Sequence, residues 1–404
     1  MSTPARPSPK TALEIIDSRV TELPAEVRPL SQCVGRVLRQ DVYAERDNPP
    51  FDRVCMDGIA VDSAAVIGGA RRLAIEATQQ AGAPAVALMH KGRAIEVMTG
   101  AMLPRGTDCI IPLEEYTLID EVASLKDEAV AKAYRNVQRR GADSQPGVPM
   151  LKTGTMLGAP EMAVVASAGL ASIQVSRQPR FMVVSTGDEL VDPGQPILEH
   201  QVRRSNAYAV VTALRKRGFE EVDNDHIADD ANLLRERLTR HLSQHDVLIL
   251  SGGVSQGKFD LVPTALKDLG VQEILYQIAQ RPGMPMWFGI GAGGQAVFGL
   301  PGNPVATLVC LIRYVIPAMT QAMGAPRASP QMAALDASVG FKRNLTYFLP
   351  VSIRSDGLAR AIAQPRPPNG PGDFLGLIAS HGFVELPPRT DDFPAGFVAD
   401  FYAW

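Results

Sequence analysis

The stretch from residue 247 to residue 255 decides the fold, and it reads Val247-Leu248-Ile249-Leu250-Ser251-Gly252-Gly253-Val254-Ser255. Its apolar first half predicts a strand that is buried on both faces, as in a parallel sheet. The two glycines that follow allow a sharp turn and a close approach of the backbone to a ligand. Open parallel sheets bind ligands beyond the carboxyl ends of their strands, so we expect this turn to belong to a binding site.

Two other apolar runs end in similar turns. Phe181-Met182-Val183-Val184 precedes Thr186-Gly187-Asp188-Glu189, and Ala296-Val297-Phe298-Gly299-Leu300 precedes Pro301-Gly302-Asn303-Pro304. If the three strands lie in one parallel sheet, their turns meet at the same edge. The sequence therefore predicts three walls of a single anion-binding site.

Each turn also has a purely structural interpretation. Asn303 and Pro304 suit the N-cap and the first position of a helix, whose free amides favour an anion but also close an ordinary turn. Gly252 and Gly253 can form an anion nest or can simply allow close packing. The sequence contains neither GxxxxGK[ST] nor GxGxxG, so nucleotide sites of those two types are not indicated.

Acidic residues follow the same layout. Asp188 and Glu189 come just after one predicted strand, and Asp229-Asp230 and Asp260 lie near the ends of others. Carboxylates bind hard cations such as Mg²⁺, which bridge substrate phosphates. Each acid equally suits a helix cap or a first helical turn. The set as a whole predicts a magnesium site, with the choice between Asp229 and Asp230 left open.

Strands and helices alternate from Arg180 onward, which predicts an α/β domain with a doubly wound parallel sheet and helices on both faces. The predicted strands are 181–185, 222–227, 246–251, 273–279 and 296–300, and the predicted helices are 206–217, 230–244, 260–269 and 304–322. Two short helices are expected within residues 11–45, a small β domain within 51–140, a helix at 160–171 and a second small β domain after residue 326.

Composition narrows the class of protein. The 404 residues carry 40 Lys and Arg against 43 Asp and Glu, a net charge of −3, which argues against a broad nucleic-acid-binding face. The four cysteines are far apart without a CxxC pair, as expected for reduced thiols in a cytoplasmic protein. No signal peptide is indicated. The most apolar segment, Val305 to Ile316, contains Arg313 and is too short to span a bilayer.

One pair of histidines has the spacing of a metal site. His241 and His245 are four residues apart, as zinc ligands on a helix would be. They also fall at the predicted end of helix 230–244, where an imidazolium complements the helix dipole. Because no CxxC and no third ligand lie nearby, we expect the second role. Sequence order alone nominates no Ser-His-Asp or Cys-His arrangement.

Eight motifs, in this order, resemble those of the molybdopterin molybdenumtransferase family, the molybdenum-insertion enzymes to which the E domain of gephyrin is also similar. The resemblance runs from about residue 12 to the C-terminus. Its motifs are Gly35-Arg36-Val37-Leu38, Pro49-Pro50-Phe51-Asp52-Arg53-Val54-Cys55-Met56-Asp57-Gly58, Met98-Thr99-Gly100-Ala101-Met102-Leu103-Pro104, Arg139-Arg140-Gly141-Ala142-Asp143, Ser185-Thr186-Gly187-Asp188-Glu189-Leu190, Ser251-Gly252-Gly253-Val254-Ser255, Arg281-Pro282-Gly283 and Leu300-Pro301-Gly302-Asn303-Pro304.

The resemblance implies four domains: a helical domain in two pieces (11–48 and 142–178), an inserted β domain (49–141), an α/β molybdopterin-binding domain (179–326) and a C-terminal β-barrel (327–404). It also implies a homodimer whose site lies between the α/β domain of one subunit and the inserted domain of the other. The implied reaction converts adenylylated molybdopterin and molybdate, with Mg²⁺, to molybdenum cofactor and AMP. An upstream pterin adenylyltransferase is an implied partner, and neither nucleic acid nor membrane is.

The resemblance also assigns roles to residues. The implied catalytic residues are Asp57, Asp143, Glu189, Asp229, Asp260 and Arg281, of which Glu189, Asp229 and Asp260 bind the metal. The implied pterin-binding residues are Thr99, Thr186, Gly187, Asp188, Ser251, Gly252, Gly253, Ser255, Pro301, Gly302, Asn303 and Pro304.

The chain departs from the family pattern at several positions. Met284 stands where the family usually has lysine, Gln277 where lysine is common, Ala306 and Pro371 where serine is expected, and Val54 in place of another serine. Arg281 retains a positive charge at its turn. The lost lysine and serine donors are those that would hold molybdate. Two further hypotheses therefore stay open: a carrier or scaffold that binds the pterin without catalysis, and an enzyme for a different oxyanion or pterin nucleotide.

Overall fold

The computed structural model describes residues 6–253, 261–370, 372–389 and 391–404, which form two compact units. The first comprises Met1–Arg39, Thr153–Leu157 and Ile173–Trp404, and the second comprises Gln40–Lys152 and Gly158–Ser172. The first unit begins with helix α1 (Pro9–Asp17), which Ser8 caps by accepting a hydrogen bond from the Thr11 amide. The finer division into four domains stays a prediction.

The second helix expected within residues 11–45 is wrong. Ala25–Pro29 is a strand, Leu30–Gln32 forms one 3₁₀ turn, and Val37 and Leu38 make isolated bridges. Pro29 cannot supply a helical amide hydrogen. Gly35 adopts φ +74°, a conformation outside the right-handed helix. Val37 and Leu38 are buried where they form these bridges, not on the face of a helix.

The second unit is built on one mixed sheet of six strands, in the order β4-β1-β3-β2-β6-β5. Alternate apolar side chains of these strands form its core, for example Ile59, Leu73 and Ile111. A short helix α2 (Ser63–Ile67) is capped by Asp62, and α3 (Ala159–Ser167) lies close to the predicted helix 160–171. The strands are β1 (Gly58–Val61), β2 (Arg72–Gln79), β3 (Ala94–Val97), β4 (Cys109–Pro112), β5 (Tyr116–Ile119) and β6 (Val122–Leu125).

The first unit contains the α/β sheet that the alternating pattern predicted. Its strands are β7 (Phe181–Thr186), β8 (Val222–Ile227), β9 (Val247–Ser251), β10 (Gln272–Tyr276), β11 (Trp287–Ile290) and β12 (Ala296–Leu300), in the order β8-β7-β9-β12-β11-β10. Its helices are α4 (Ser205–Lys216), α5 (Ala231–Gln244), α6 (Leu261–Asp268), α7 (Pro304–Cys310) and α8 (Ile316–Ala322). The sheet is therefore the doubly wound framework that was expected.

The sheet is parallel only in part. Strands β7, β8, β9 and β12 are parallel, whereas β11 runs antiparallel to both β12 and β10. The sequence prediction omitted β11 and took the whole sheet as parallel. The glycine-rich turn Gly291-Ala292-Gly293-Gly294 reverses the chain between β11 and β12, and Gly294 adopts φ +85° there. The extra strand β11 thus joins β12 through an antiparallel hairpin.

Alternation along each central strand builds two cores. Phe181 and Val183 pack on one face with side chains of α1, α4 and the helix after β12. Met182 and Val184 pack on the other face with side chains of α5 and α6. Both faces are apolar because helices cover both, which is why these strands read as continuous hydrophobic runs.

The most apolar helix runs through Arg313 rather than ending there. Helix α7, a π-helical turn at Leu311–Val315 and helix α8 are continuous. The expectation that this segment is too short to cross a bilayer is therefore wrong on length, since Pro304–Ala322 has 19 residues and a mean hydropathy of 1.5. Its apolar window is 78% buried, as in the core helix of a globular fold.

The C-terminal strands close into a five-stranded barrel. They are β13 (Gln331–Leu335), β14 (Thr346–Ser355), β15 (Ala361–Pro365), β16 (Gly382–Leu386) and β17 (Val398–Ala403), and they pair in the closed order β14-β15-β13-β17-β16-β14. Closure leaves these strands no free edge along the ring. A short helix α9 (Phe374–Ile378) is inserted, with Asp373 as its cap. The expected barrel is confirmed.

A buried ion pair joins the barrel to the α/β sheet's central helix. Arg313 Nε donates to Glu385 Oε2 at 2.7 Å, with the two side chains 8% and 17% exposed. Burial by itself would lower the pKa of Arg313. The charge and hydrogen bond of Glu385 act in the opposite direction, and the pKa of Arg313 is raised overall. The Arg313 guanidinium also lies 5.3 Å from the Tyr402 ring centre. The charge inside the apolar helix is thus compensated by the barrel.

We expect Glu385→Gln to destabilise the first unit strongly, because it leaves the Arg313 charge buried without its partner. The loss should be about 3 kcal/mol in the free energy of unfolding. Asp268→Asn removes an exposed pair with Arg235 and should cost less than about 1 kcal/mol. Urea unfolding of both variants measures the difference, and equal stabilities would contradict the role of the buried pair.

Candidate functional site

The three turns predicted to form one site do come together. In the sheet register, Ser185 lies beside Ser251 and Ser251 lies beside Leu300, so three adjacent parallel strands end at the same level. A cavity of about 330 Å³ opens there. It is lined by Ser185, Thr186, Glu189, Leu190, Val202, Arg203, Arg204, Ser205, Asn206, Ser251, Gly252, Gly302, Pro304, Gly372 and Phe374.

Glycine is required where the second turn meets the first. Gly252 and Gly253 adopt φ +94° and +63°, which residues with a Cβ rarely do. A Cβ on Gly253 would lie 2.6 Å from Thr186 Oγ1, and one on Gly252 would lie 3.3 Å from the Thr186 carbonyl oxygen. Gly302 approaches the same place, since its Cβ would be 3.9 Å from Gly252 Cα. The backbones of the three turns therefore form a narrow cradle.

The third turn opens α7 as the sequence predicted. Asn303 caps the helix by accepting a hydrogen bond from the Ala306 amide at 3.2 Å, and Pro304 occupies the first turn. Thr307 Oγ1 donates to the carbonyl oxygens of Pro301 (2.5 Å) or Asn303 (2.9 Å). The capping interpretation of Asn303 is confirmed. Gly302 and Pro304 line the cavity, so the same turn also contributes to its wall.

Asn206 ties two of the turns together, and sequence reasoning missed it. Its Nδ2 donates to Ser251 Oγ at 3.1 Å and to the Gly302 carbonyl oxygen at 2.9 Å. The residue lies in the first turn of α4, where the predicted helix began. The only signal in the sequence was a polar Ser205-Asn206 pair at a helix start. That pair alone reads as an ordinary helix opening.

Several polar atoms at the cavity are buried without a hydrogen-bond partner among the described residues. They are Ser185 Oγ, Thr186 Oγ1 and Asn206 Oδ1. The Ser185 and Thr186 side chains belong to residues that are only 1% and 5% exposed. Buried polar groups are normally paired, because leaving one unpaired costs about 1–3 kcal/mol. Their convergence on one cavity fits a polar ligand with several oxygen or nitrogen atoms.

Two arginines line the same cavity. Arg204 is buried and donates to Asp192 Oδ1 at 2.8 Å and to Asn224 Oδ1 at 3.0 Å. Arg203 donates to the carbonyl oxygens of Asp192 and Gln195, each at 2.8 Å. Asp192 therefore compensates part of the Arg204 charge. The remaining positive field favours an anionic ligand.

The structure separates the roles of the neighbouring acids. Asp230 caps α5 by accepting a hydrogen bond from the Leu233 amide at 2.8 Å, so its structural interpretation is confirmed. Asp188 accepts one from the Asp229 amide at 3.0 Å, which holds the turns after β7 and β8 together. Glu189 lines the cavity and its carboxylate lies next to Gly187. Of the two alternatives, Asp229 is the acid that is not used as a helix cap.

The structure describes only two of the three residues predicted to bind the metal, Glu189 and Asp229. Within residues 6–253, 261–370, 372–389 and 391–404, no three His, Cys, Asp or Glu side chains lie close enough to hold an ion. Asp260, the third predicted ligand, lies outside the described residues, as do Ser255 and Pro371. The magnesium site with Glu189 and Asp229 therefore stays a prediction.

The turn that contains Arg281 packs beside the start of α7. A Cβ on Gly283 would lie 2.6 Å from Cys310 Sγ and 3.8 Å from the Ala306 carbonyl oxygen. Gln280 stabilises the turn, because its Nε2 donates hydrogen bonds to the Pro282 and Gly283 carbonyl oxygens at 3.2 and 3.1 Å. Burial raises the pKa of the Cys310 thiol to about 12, so it acts as a packed thiol. Met284 thus lies on a segment adjacent to the one carrying Ala306.

The remaining predicted residues belong to the second unit. Asp57 Oδ1 accepts hydrogen bonds from the Thr99 amide at 2.6 Å and hydroxyl at 2.7 Å, which lower the pKa of the Asp57 carboxyl. The Asp143 oxygens accept from Gln138 Nε2 at 2.8 and 2.9 Å. Asp143 also lines a cavity of about 510 Å³ in that unit. The structure therefore pairs Asp57 with Thr99 and Asp143 with Gln138.

The two histidines have hydrogen-bond partners within the fold. His241 Nε2 lies 2.7 Å from Asp225 Oδ2, and His245 Nδ1 lies 3.1 Å from the His241 carbonyl oxygen. Burial lowers the pKa of His241, although Asp225 opposes the shift. The described residues supply no third ligand. The position at the end of α5 agrees with the expectation, and both rings have structural partners.

We expect Gly253→Ala to damage the cradle beyond the cost of its backbone strain. The strain of a left-handed conformation costs about 1–2 kcal/mol, and Gly194→Ala should cost the same, since Gly194 has φ +88° with nothing within 4 Å of its Cβ position. Only Gly253→Ala also displaces Thr186. Calorimetric titration with sulfate should show weaker binding for Gly253→Ala alone, and equal affinities would contradict the cradle.

Comparisons with known proteins agree with this architecture. A family model described as "MoeA N-terminal region (domain I and II)" matches residues 7–169, and one described as "Probable molybdopterin binding domain" matches residues 182–321. A molybdopterin molybdenumtransferase from Synechocystis sp. is 37% identical over 97% of this chain and 98% of its own length. One from Staphylococcus aureus is 28% identical over 97% of this chain and 94% of its own.

Solved structures show the same similarity. The crystal structure of the molybdopterin biosynthesis moea protein from Pyrococcus horikosii is 28% identical, with a TM-score of 0.78 and 99% of each chain covered. The crystal structure of a molybdopterin biosynthesis moeA protein from Pyrococcus horikoshii OT3 has a TM-score of 0.83 at 23% identity, which supports the fold. The similarity therefore extends over both units and the barrel.

Proposed function

Since the chain belongs to the molybdopterin molybdenumtransferase family, we propose that it inserts molybdate into adenylylated molybdopterin, giving molybdenum cofactor and AMP. One observation in the structure carries the proposal beyond the family match. The end of β7 and the start of α4 deliver buried polar atoms without described partners to one cavity, at Ser185, Thr186 and Asn206. A ligand with phosphate oxygens and ring nitrogens supplies partners for such atoms.

The chemistry of the cavity suits these substrates. The pterin carries a phosphate, the adenylate carries another, and molybdate is a tetrahedral dianion, so all three need N–H and O–H donors. Glycine turns, the hydroxyls of Ser185, Thr186 and Ser251, and the amides at the start of α7 provide them. Arg203 and Arg204 add positive field.

Mg²⁺ is part of the proposal. Glu189 and Asp229 carry exposed carboxylates near the strand ends, which fits an ion that keeps several waters and relies on substrate oxygens. Asp260 is the proposed third ligand. Bound there, Mg²⁺ supplies positive charge to the phosphate that leaves with AMP. Glu189 and Asp229 would position the metal ion, and thereby its charge. The cradle of glycine turns would hold the pterin phosphate.

We further propose a cytoplasmic homodimer. The inserted domain, with Asp57, Thr99 and Asp143, then contributes to the site of the partner copy, and an upstream pterin adenylyltransferase supplies the substrate. Closed dimers with one self-complementary contact are the commonest soluble assembly. Light scattering should give twice the mass of one chain at micromolar concentration. A stable monomer would contradict a site shared between subunits.

The decisive test of the function is AMP release that depends on molybdate. The purified protein, given adenylylated molybdopterin and Mg²⁺, should release AMP when molybdate is added. We expect Glu189→Gln to slow this release at least tenfold while pterin binding changes less than threefold, because the acid acts through the metal. Glu199→Gln, an exposed acid of the same unit, serves as control and should leave both unchanged.

A carrier function is the second candidate, favoured by the departures at Met284, Ala306 and Pro371. A carrier binds the pterin but releases no AMP upon addition of molybdate. Molybdate insertion is contradicted if the protein binds the pterin tightly and releases no AMP when molybdate is added. Equal Mg²⁺ affinity with and without the pterin adenylate, measured by calorimetry, would remove the bridging role of the metal.

We expect the unmodified protein to bind molybdate with millimolar or weaker affinity. Met284 donates no hydrogen bond and Ala306 has no hydroxyl, and charge-assisted hydrogen bonds contribute roughly 1.5–3 kcal/mol each. Two lost donors weaken binding by about a hundredfold or more.

Met284→Lys combined with Ala306→Ser should recover at least tenfold of that affinity in equilibrium dialysis. Met332→Lys, at an exposed position of β13, adds the same charge elsewhere and should not. Tight binding by the unmodified protein, unimproved by the double substitution, would show that Arg281 and the α7 amides suffice.

A further inference from the structure

Asn206 has an orientation that its neighbours fix. The Gly302 carbonyl oxygen can only accept a hydrogen bond, so the side-chain atom 2.9 Å from it must be the amide nitrogen Nδ2. The second Nδ2 hydrogen goes to Ser251 Oγ at 3.1 Å. Both donors of the amide are thereby used on the protein. The oxygen Oδ1 is left facing away from these two partners, and the usual ambiguity between amide nitrogen and oxygen does not arise.

The Ser185 and Thr186 hydroxyls at this cavity can donate or accept a hydrogen bond, whereas Asn206 Oδ1 can only accept one. Oδ1 is buried and has no hydrogen-bond partner among the described residues, and Asn206 lines the cavity. A fully deprotonated phosphate or molybdate has only acceptor oxygens, so it cannot serve this atom. The partner must carry an N–H or O–H donor, which a pterin ring has in its ring N–H and amino groups.

The same contact sets the direction of the Ser251 hydroxyl. Because Ser251 Oγ accepts from Asn206, its own hydrogen points elsewhere and is free to donate. Ser185 Oγ and Thr186 Oγ1 are likewise without described partners. The cavity therefore has hydroxyl donors for oxyanion oxygens and, at Asn206, one acceptor for a different part of the ligand.

We infer that Asn206 is a substrate-binding residue whose Oδ1 accepts a hydrogen bond from a donor group of the pterin, while its Nδ2 holds the Ser251 and Gly302 turns in place. The inference rests on the proposed function, since it names the part of that substrate which Asn206 recognises. It divides the cavity into an oxyanion side with hydroxyl donors and a donor-recognising side at the start of α4.

The test compares two probes on one variant. Sulfate at pH 8 has acceptors only and reports the oxyanion side, whereas molybdopterin presents both acceptors and donors. We expect Asn206→Ala to weaken molybdopterin binding roughly tenfold more than it weakens sulfate binding, because only the pterin loses a buried hydrogen bond. Thr212→Ala, at an exposed position further along α4, should change neither affinity in the same calorimetric titrations.

The outcomes are distinguishable. Equal weakening of both probes by Asn206→Ala would show that the residue only braces the two turns, and the inference would fail while the proposed function stands. A wild-type protein that binds no molybdopterin would overturn both.

A crystal structure of the unmodified protein with molybdopterin decides the matter even if the variant does not fold. We expect a ligand nitrogen or hydroxyl within about 3.2 Å of Asn206 Oδ1. A structure in which the phosphate or a water occupies that position would overturn the inference.

Discussion

The parallel register of three buried strands is the constraint on which the rest of the structure depends. Ser185, Ser251 and Leu300 lie side by side, so the turns that follow them begin at one level. Both faces of these strands are packed, and a slip of one residue would exchange the side chains that point to the two cores. The hydrophobic packing of Phe181 and Met182 on opposite faces therefore fixes where the polar turns meet.

The turns at the ends of these strands contain features that are locally unfavourable. Gly253 can adopt its left-handed conformation beside Thr186 because it lacks a Cβ, and three buried polar atoms have no described partner. The favourable free energy of packing the apolar strands offsets the cost of these features. For the oxyanion ligands proposed above, such a site would need little reorganisation on binding, which favours affinity and transition-state stabilisation.

Hydrogen bonds from residues outside the sheet hold the turn that carries Arg281. Buried Gln280 donates to the carbonyl oxygens of the turn that carries Arg281, and its Oε1 accepts a hydrogen bond from the Tyr314 hydroxyl. Arg313, next along the chain, reaches Glu385 of the barrel. The long apolar helix after β12 thus connects the turn that carries Arg281 to the C-terminal barrel. The substitutions at Met284 and Ala306 change donors while leaving this support intact, so we attribute to them an effect on oxyanion affinity rather than on folding.

The sequence by itself determined the strands and helices of the α/β unit, because buried parallel strands read as uninterrupted apolar runs and their caps are local. Strands 222–227 and 296–300 match the structure to the residue, and Asn303 caps α7 as predicted. Glycine turns and motifs also determined the family, and with it six of the fifteen residues that line the cavity. These features depend on near neighbours in the chain, which a sequence displays directly.

Only the tertiary structure decided the antiparallel course of β11, the partner of the buried Arg313 charge and the place of Asn206. Each depends on a partner distant in sequence: Glu385 lies 72 residues from Arg313, and Gly302 lies 96 residues from Asn206. A charge in an apolar helix or an asparagine at a helix start is ambiguous until that partner is known. The hydrogen bonds that define the site cross between strand ends, and no local pattern records which residues will face each other there.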